Sequence, residues 1–121
     1  MNRKQKLIAA AALAAVAATW AIPAQAGRTL NAVKSRGMVV CGVNTAAPGF
    51  SGADSRGHWK GLDVDICRAV AAAVLKDANK VKFVPLSSEQ RFTALQSGQI
   101  DILARNTTWS MSRDASQGSV F

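Results

Sequence analysis

The 121-residue chain carries 15 Lys and Arg against 7 Asp and Glu, a formal charge of +8, and 49% of its residues are hydrophobic. That charge does not make a nucleic-acid binder: Lys34, Arg36, Arg56, Lys60, Arg68 and Lys76 stand apart, whereas such proteins cluster their basic residues in a patch or stripe. One His and two Cys fall short of a zinc site and no Gly-rich phosphate loop is present, so neither a metal nor a cofactor is expected.

The chain opens on "MNRKQK", basic and without acid, followed by sixteen almost unbroken apolar residues, Pro23 and the small-residue run "AQA". This is the layout of a secretory signal peptide over residues 1–26, with cleavage expected after Ala26. The apolar run is shorter than the roughly 20 residues needed to span a bilayer, so a retained membrane anchor is the weaker reading. Without Arg3, Lys4 and Lys6 the remainder holds 12 basic and 7 acidic residues, a charge of +5. In an exported chain Cys41 and Cys67 are candidates for a disulfide, and two small buried thiols are the competing reading. The 95 residues from Gly27 to Phe121 suffice for one small core. The final "SQGSVF" begins a new apolar run, so the expectation is a domain that continues past Phe121.

After the leader, "RTLNAVKSRG" predicts a short amphipathic helix stopped by Gly37, and "MVVCGVN" one buried strand. "PGFSGADSRGHWKG" reads as a loop with a ragged hairpin turning at "DSRG", in which His58 and Trp59 pack the hairpin onto the domain. "LDVDICRAVAAAVLKDAN" is the strongest helix pattern, with Ile66, Val70, Ala73 and Val74 on one face. Asp63 is expected as its N-cap, Lys76 in its last turn and Asn79 as its stop. "KVKFVPL" alternates as a strand. "SSEQRFTALQSGQ" predicts a helix opened by a Ser87/Gln90 capping box and stopped by Gly98, and "IDILA" is a third strand. Strands alternating with helices imply an α/β domain built on a parallel sheet covered on both faces.

In such sheets ligands bind beyond the carboxyl ends of the strands, where "NTAAPGF" and "RNTTWSMSRD" lie. The second stretch holds the parts of a carboxylate clamp. Thr107, Thr108 and backbone N–H groups each donate one hydrogen bond, and Arg113 donates two in parallel. Ser110 is expected to cap a helix whose first turn holds Arg113. Trp109, inside the clamp loop, is a candidate for ligand contact or for filling space behind it. A solvated loop with an Arg113–Asp114 surface pair is the competing reading.

"GLDVDICRAVAAAV", "VPLSSEQRFTALQSGQIDILARNTTWSMSRD" and the exported leader together resemble the amino-acid-binding proteins of periplasmic ABC importers, the family-3 solute receptors. The general L-amino-acid type, with "RNTTW" before "SRD", is the nearest resemblance. It spans Thr29 to Phe121 and rests on the order and spacing of short motifs.

The resemblance implies a periplasmic-binding-protein-like (type II) fold of two α/β lobes closing on a free L-amino acid. Residues 27–121 would be an incomplete first lobe, and the partner a membrane permease of the importer. It further implies that Arg113 grips the ligand α-carboxylate, that Thr108 adds a bond, that the Asn106 peptide lies against the ligand and that Asn44 sits nearby as a neutral acceptor. Ala47 and Ser88 stand where relatives place aromatic rings, which fits broad specificity. Arg91 is placed to reach an acidic or polar side chain. The rival classes are an enzyme on the same fold, a dehydratase or lytic transglycosylase, and an exported sensory or interaction module. Glu89, the only Glu, lies at an exposed-looking helix start where nothing would tune it for general acid chemistry.

Overall fold

The computed structural model describes residues 27–117, so the predicted leader, its cleavage site and the last four residues lie outside the described part. In chain order the elements are α1 (Gly27–Arg36), β1 (Val39–Val43), β2 (Ala46–Ala47), β3 (Ser51–Ala53), β4 (Trp59–Lys60), α2 (Leu62–Leu75), β5 (Val81–Pro85), α3 (Gln90–Gln96), β6 (Ile102–Leu103) and α4 (Met111–Gln117). β1 is central, with β5 and β6 parallel on either side, as the alternating pattern predicts. Cys41 stands opposite both Phe83 and Ile102, and Gly42 opposite Val84 and Leu103.

The alternation of strand side chains divides the core. Val39, Cys41 and Val43 point to the face covered by α1 and α2, where they meet Val33, Cys67 and Ala71. Val40 points to the other face, which Leu86, Ala94 and Ile100 fill from the α3 side. At Gly42 an added Cβ would meet the terminal methyls of Ile100 at 2.7 Å and Leu86 at 2.8 Å, so the missing side chain lets that side close. The sulfurs of Cys41 and Cys67 are bonded, with Cα atoms 6.3 Å apart, and the two residues are fully buried. Of the two readings of the cysteine pair, the disulfide holds.

Several local expectations are met. Gly37 ends α1 at φ 70, its N–H donating to the Val33 carbonyl at 2.8 Å. The capping box forms reciprocally: the Ser87 N–H reaches Gln90 Oε1 and the Gln90 N–H reaches Ser87 Oγ, each at 3.3 Å. The "DSRG" turn forms with the Asp54 carboxylate accepting from the N–H groups of Arg56 and His58 at 2.9 Å. Trp59 packs beside the disulfide cluster, 5.8 Å from the Phe83 ring, as expected, but His58 does not pack: its side chain is 70% exposed beside Asp54, so only half of that expectation holds.

Four expectations are corrected. The buried face of α2 is Val64, Cys67 and Ala71, whereas Ile66 and Ala73 of the expected face are exposed. Asp63 is not an N-cap: Gly61 holds that position, and Asp63 lies one residue inside α2 with no side-chain cap bond. The first helical N–H groups find backbone partners instead, Leu62 donating to the Gly49 carbonyl (3.1 Å) and Asp63 to that of Phe50 (2.9 Å). A loop folded back onto the helix start satisfies the orphan donors, so no capping side chain is needed. The helix stops before Asn79, at Lys76, whose φ of 62 is left-handed and whose N–H closes onto Ala72 at 3.0 Å. The loop after β1 is also more ordered than expected: β2, β3 and β4 form a small antiparallel sheet in the order β2–β3–β4.

Two outcomes test this account. Gly61 has φ 122 and an added Cβ would lie 2.3 Å from the Phe50 carbonyl oxygen, so Gly61→Ala is expected to cost about 3 kcal/mol in denaturant unfolding. A tenfold smaller loss would mean the loop yields easily. The disulfide closes a sequence separation of 26, and its reduction is expected to remove about 3 kcal/mol of stability in the same assay.

Candidate functional site

The carboxyl ends of β1, β5 and β6 deliver three loops to one edge of the sheet. Asn44, just past β1, accepts the Ala46 N–H on its own side-chain oxygen (3.2 Å) and donates from Nδ2 to the Asn106 side chain (3.2 Å). That single amide thereby fixes its own loop and ties it to the loop after β6. Arg91, near the start of α3, donates to the Asn106 carbonyl (3.0 Å) and to Thr107 Oγ1 (3.3 Å). Ser110 stands before α4, its backbone carbonyl accepting the Asp114 N–H at 3.0 Å while its hydroxyl pairs with that of Ser112, so Arg113 occupies the first turn as the spacing predicts.

The Arg113 guanidinium is held twice. Nη1 donates to the Thr108 carbonyl at 2.7 Å, and the group lies 5.2 Å from the centroid of the Phe92 ring. No salt bridge joins it to Asp114 or to any other described carboxylate, so the surface-pair reading is not what forms. Its Nε and Nη2 have no described hydrogen-bond partner, which leaves the edge that matches a carboxylate in bidentate fashion.

Two residues enter the site that the sequence reading did not select. Arg105, directly after β6, donates to the Leu86 carbonyl and approaches Ser88 Oγ at 3.4 Å, bracing the loop between β5 and α3. Phe92 lies beneath the guanidiniums of Arg91, at 5.4 Å, and Arg113. No sequence signal marks either one, because both acquire their neighbours only through the parallel register. Of the selected residues, the hydrogen bonds join Asn44, Asn106 and Arg91 in one network, with Arg113 and Thr108 paired beside it and Ser88 tied to Arg105. Trp109 is 69% exposed on the same loop, and Ala47 is held in β2 opposite Ser51.

The electrostatics favour an anion. Burial, followed by the charges of Arg105 and Arg113, pulls the Arg91 guanidinium below its ordinary pKa, with Glu89 opposing. Glu89 is held below the usual carboxylate range by its own backbone N–H and by Ser87, and then by Arg105 and Arg91. Behind the loop, burial pushes the Asp63 carboxyl up against the opposing charge of Arg105, and its Oδ2 is buried without a hydrogen bond. A cleft of about 490 Å³ opens at the opposite, amino end of the sheet, where Arg36 and Asp101 already neutralise each other. The uncompensated charge lies at the carboxyl edge.

A folded-state carboxyl pKa above its unfolded value favours the native state while the group is protonated. That advantage is lost as pH rises through the window just above 3.8. Asp63→Asn is therefore expected to raise the thermal midpoint at pH 7 and to leave it nearly unchanged at pH 3. An equal shift at both pH values would show that ionisation of Asp63 is not the cause.

Residues 39–117 match the family model for bacterial extracellular solute-binding proteins, family 3. Over 98% of the chain the sequence is 54% identical to the putative amino-acid ABC transporter-binding protein YhdW of Escherichia coli K12. Over the same share it is 53% identical to the general L-amino acid-binding periplasmic protein AapJ of Rhizobium johnstonii. The chain spans 35% and 34% of the lengths of these two relatives, about a third of each. A solved periplasmic binding protein from Brucella ovis, with glutathione bound, superposes with a TM-score of 0.73 at 57% identity, covering 74% of this chain and 28% of that one.

Proposed function

The chain belongs to the bacterial extracellular solute-binding proteins, family 3, and from that membership we propose that it forms the first lobe of a receptor for L-amino acids. The receptor works in the periplasm and hands its ligand to the membrane permease of an ABC importer. The relatives are themselves solute-binding proteins, named for amino-acid binding and ABC transport. The lobe follows the type II periplasmic-binding-protein architecture of its structural neighbours.

One observation carries the reading: Arg113 is fixed by a carbonyl and a ring, with an unused guanidinium edge at the carboxyl end of the sheet. Every free amino acid has an α-carboxylate, so one clamp serves many ligands. Asn106 and Thr108 lie on the same loop, tied to Asn44 and Arg113, and we assign them to the ligand's main chain. Where an aromatic lid would select side-chain shape, Ala47 and Ser88 are small. Arg91, tied to Asn106 and Thr107, and the exposed Trp109 are the residues we assign to the ligand side chain. A second lobe supplies the acceptor for the α-amino group. Glu89 is held below the usual carboxylate range, the opposite of the raised value a general acid at that position would need.

In a two-lobed receptor carrying this lobe, Arg113→Ala is expected to weaken every amino-acid ligand roughly 100-fold, since the lost charged hydrogen bonds are common to all. Calorimetric titration with acidic, neutral and basic amino acids checks it. A loss restricted to some ligands would move the α-carboxylate elsewhere.

A further inference from the structure

Phe92 is half-buried on α3 yet belongs to none of the three apolar clusters that make up the core. Its ring instead meets guanidinium groups, Arg91 at 5.4 Å and Arg113 at 5.2 Å from the centroid. An aromatic face carries the negative part of the ring quadrupole and attracts such cations. The hydrogen bonds, ion pairs and ring contacts described for α4 are all local to residues 108–117, except the one between Arg113 and Phe92.

We propose that Phe92 is the positioning residue that holds Arg113 in its carboxylate-gripping pose. This rests on the receptor reading above and extends it to a residue that need not touch the ligand. A half-buried arginine with a single carbonyl bond has several side-chain torsions left to fix, and the ring removes that freedom before the ligand arrives. The ring also offsets repulsion between the guanidiniums of Arg91 and Arg113, whose charges act on one another. Arg105 supports the platform from behind: it ties Leu86 and Ser88, and Ser87 beside them caps the turn from which α3 and Phe92 project.

The test is calorimetry on the two-lobed receptor with L-glutamate, L-glutamine and L-alanine as probes. Phe92→Leu, which keeps apolar bulk and removes the ring, is expected to weaken all three by a common factor of about 3- to 30-fold. Phe92→Tyr is expected to stay within about twofold of the parent, because the π-face remains. Stepwise ring fluorination at position 92 keeps the shape while draining the quadrupole, and affinity is expected to fall with each fluorine. Affinity insensitive to fluorination overturns the proposal, as does a loss confined to one probe, which would put the ring against the ligand side chain. If Phe92→Leu does not fold, the fluorination series decides alone. A parent receptor that binds none of the probes overturns the receptor reading and this proposal with it. Parent binding that survives Arg113→Ala overturns the clamp by itself.

Discussion

The site depends on how β1 is gripped. Its odd residues are pressed into α1 and α2, its even residues face the side filled from α3, and parallel neighbours hydrogen-bond to both of its edges. A strand held on four sides has little room to slide, and a shift of one residue would turn Val39, Cys41 and Val43 to the wrong face. Because β5 and β6 take their register from β1, the loops that follow them reach the carboxyl edge at fixed heights. Asn44 can therefore meet Asn106 across 62 positions of sequence, and Arg105 can reach back to Leu86.

At that edge the fold accumulates positive charge. Arg91, Arg105 and Arg113 converge while no described carboxylate forms a salt bridge with any of them. Carbonyl oxygens, hydroxyls and one aromatic face hold the three cations. Such partners orient a guanidinium without neutralising it. Glu89 and Asp63 offset part of the charge at a distance, but no described carboxylate is paired directly with the three guanidiniums. Preorganisation of this kind lowers the ordering cost charged against binding.

The sequence revealed what is repeated or local. The alternation of β5, the reciprocal Ser87–Gln90 cap and the glycine stop of α1 depend on neighbours a few residues away, and each formed as expected. Arg113 was legible because its helix begins at a recognisable Ser110 and because the run around it resembles a known receptor type. Asp63 misled because a capping side chain and a folded-back loop satisfy the same N–H groups, and only tertiary structure decides between them. Lys76 ends α2 in a conformation that glycine usually marks, so its sequence gave no sign. The strands β2 to β4 are two or three residues long, too short to show a period. Phe92 and Arg105 looked like ordinary helix and strand-end residues. Their roles exist only where β6 lies beside β1 and α3 packs over it.

The bond between Cys41 and Cys67 joins the central strand to the helix packed on it, two residues before β1 ends. Its formation depends on surroundings as well as sequence. With the two thiols reduced, that cross-link is absent and the chain is easier to unfold. In an oxidising compartment the bond closes and withdraws that freedom. The stiffness of the lobe's centre is therefore set by the redox state around the chain as well as by its sequence.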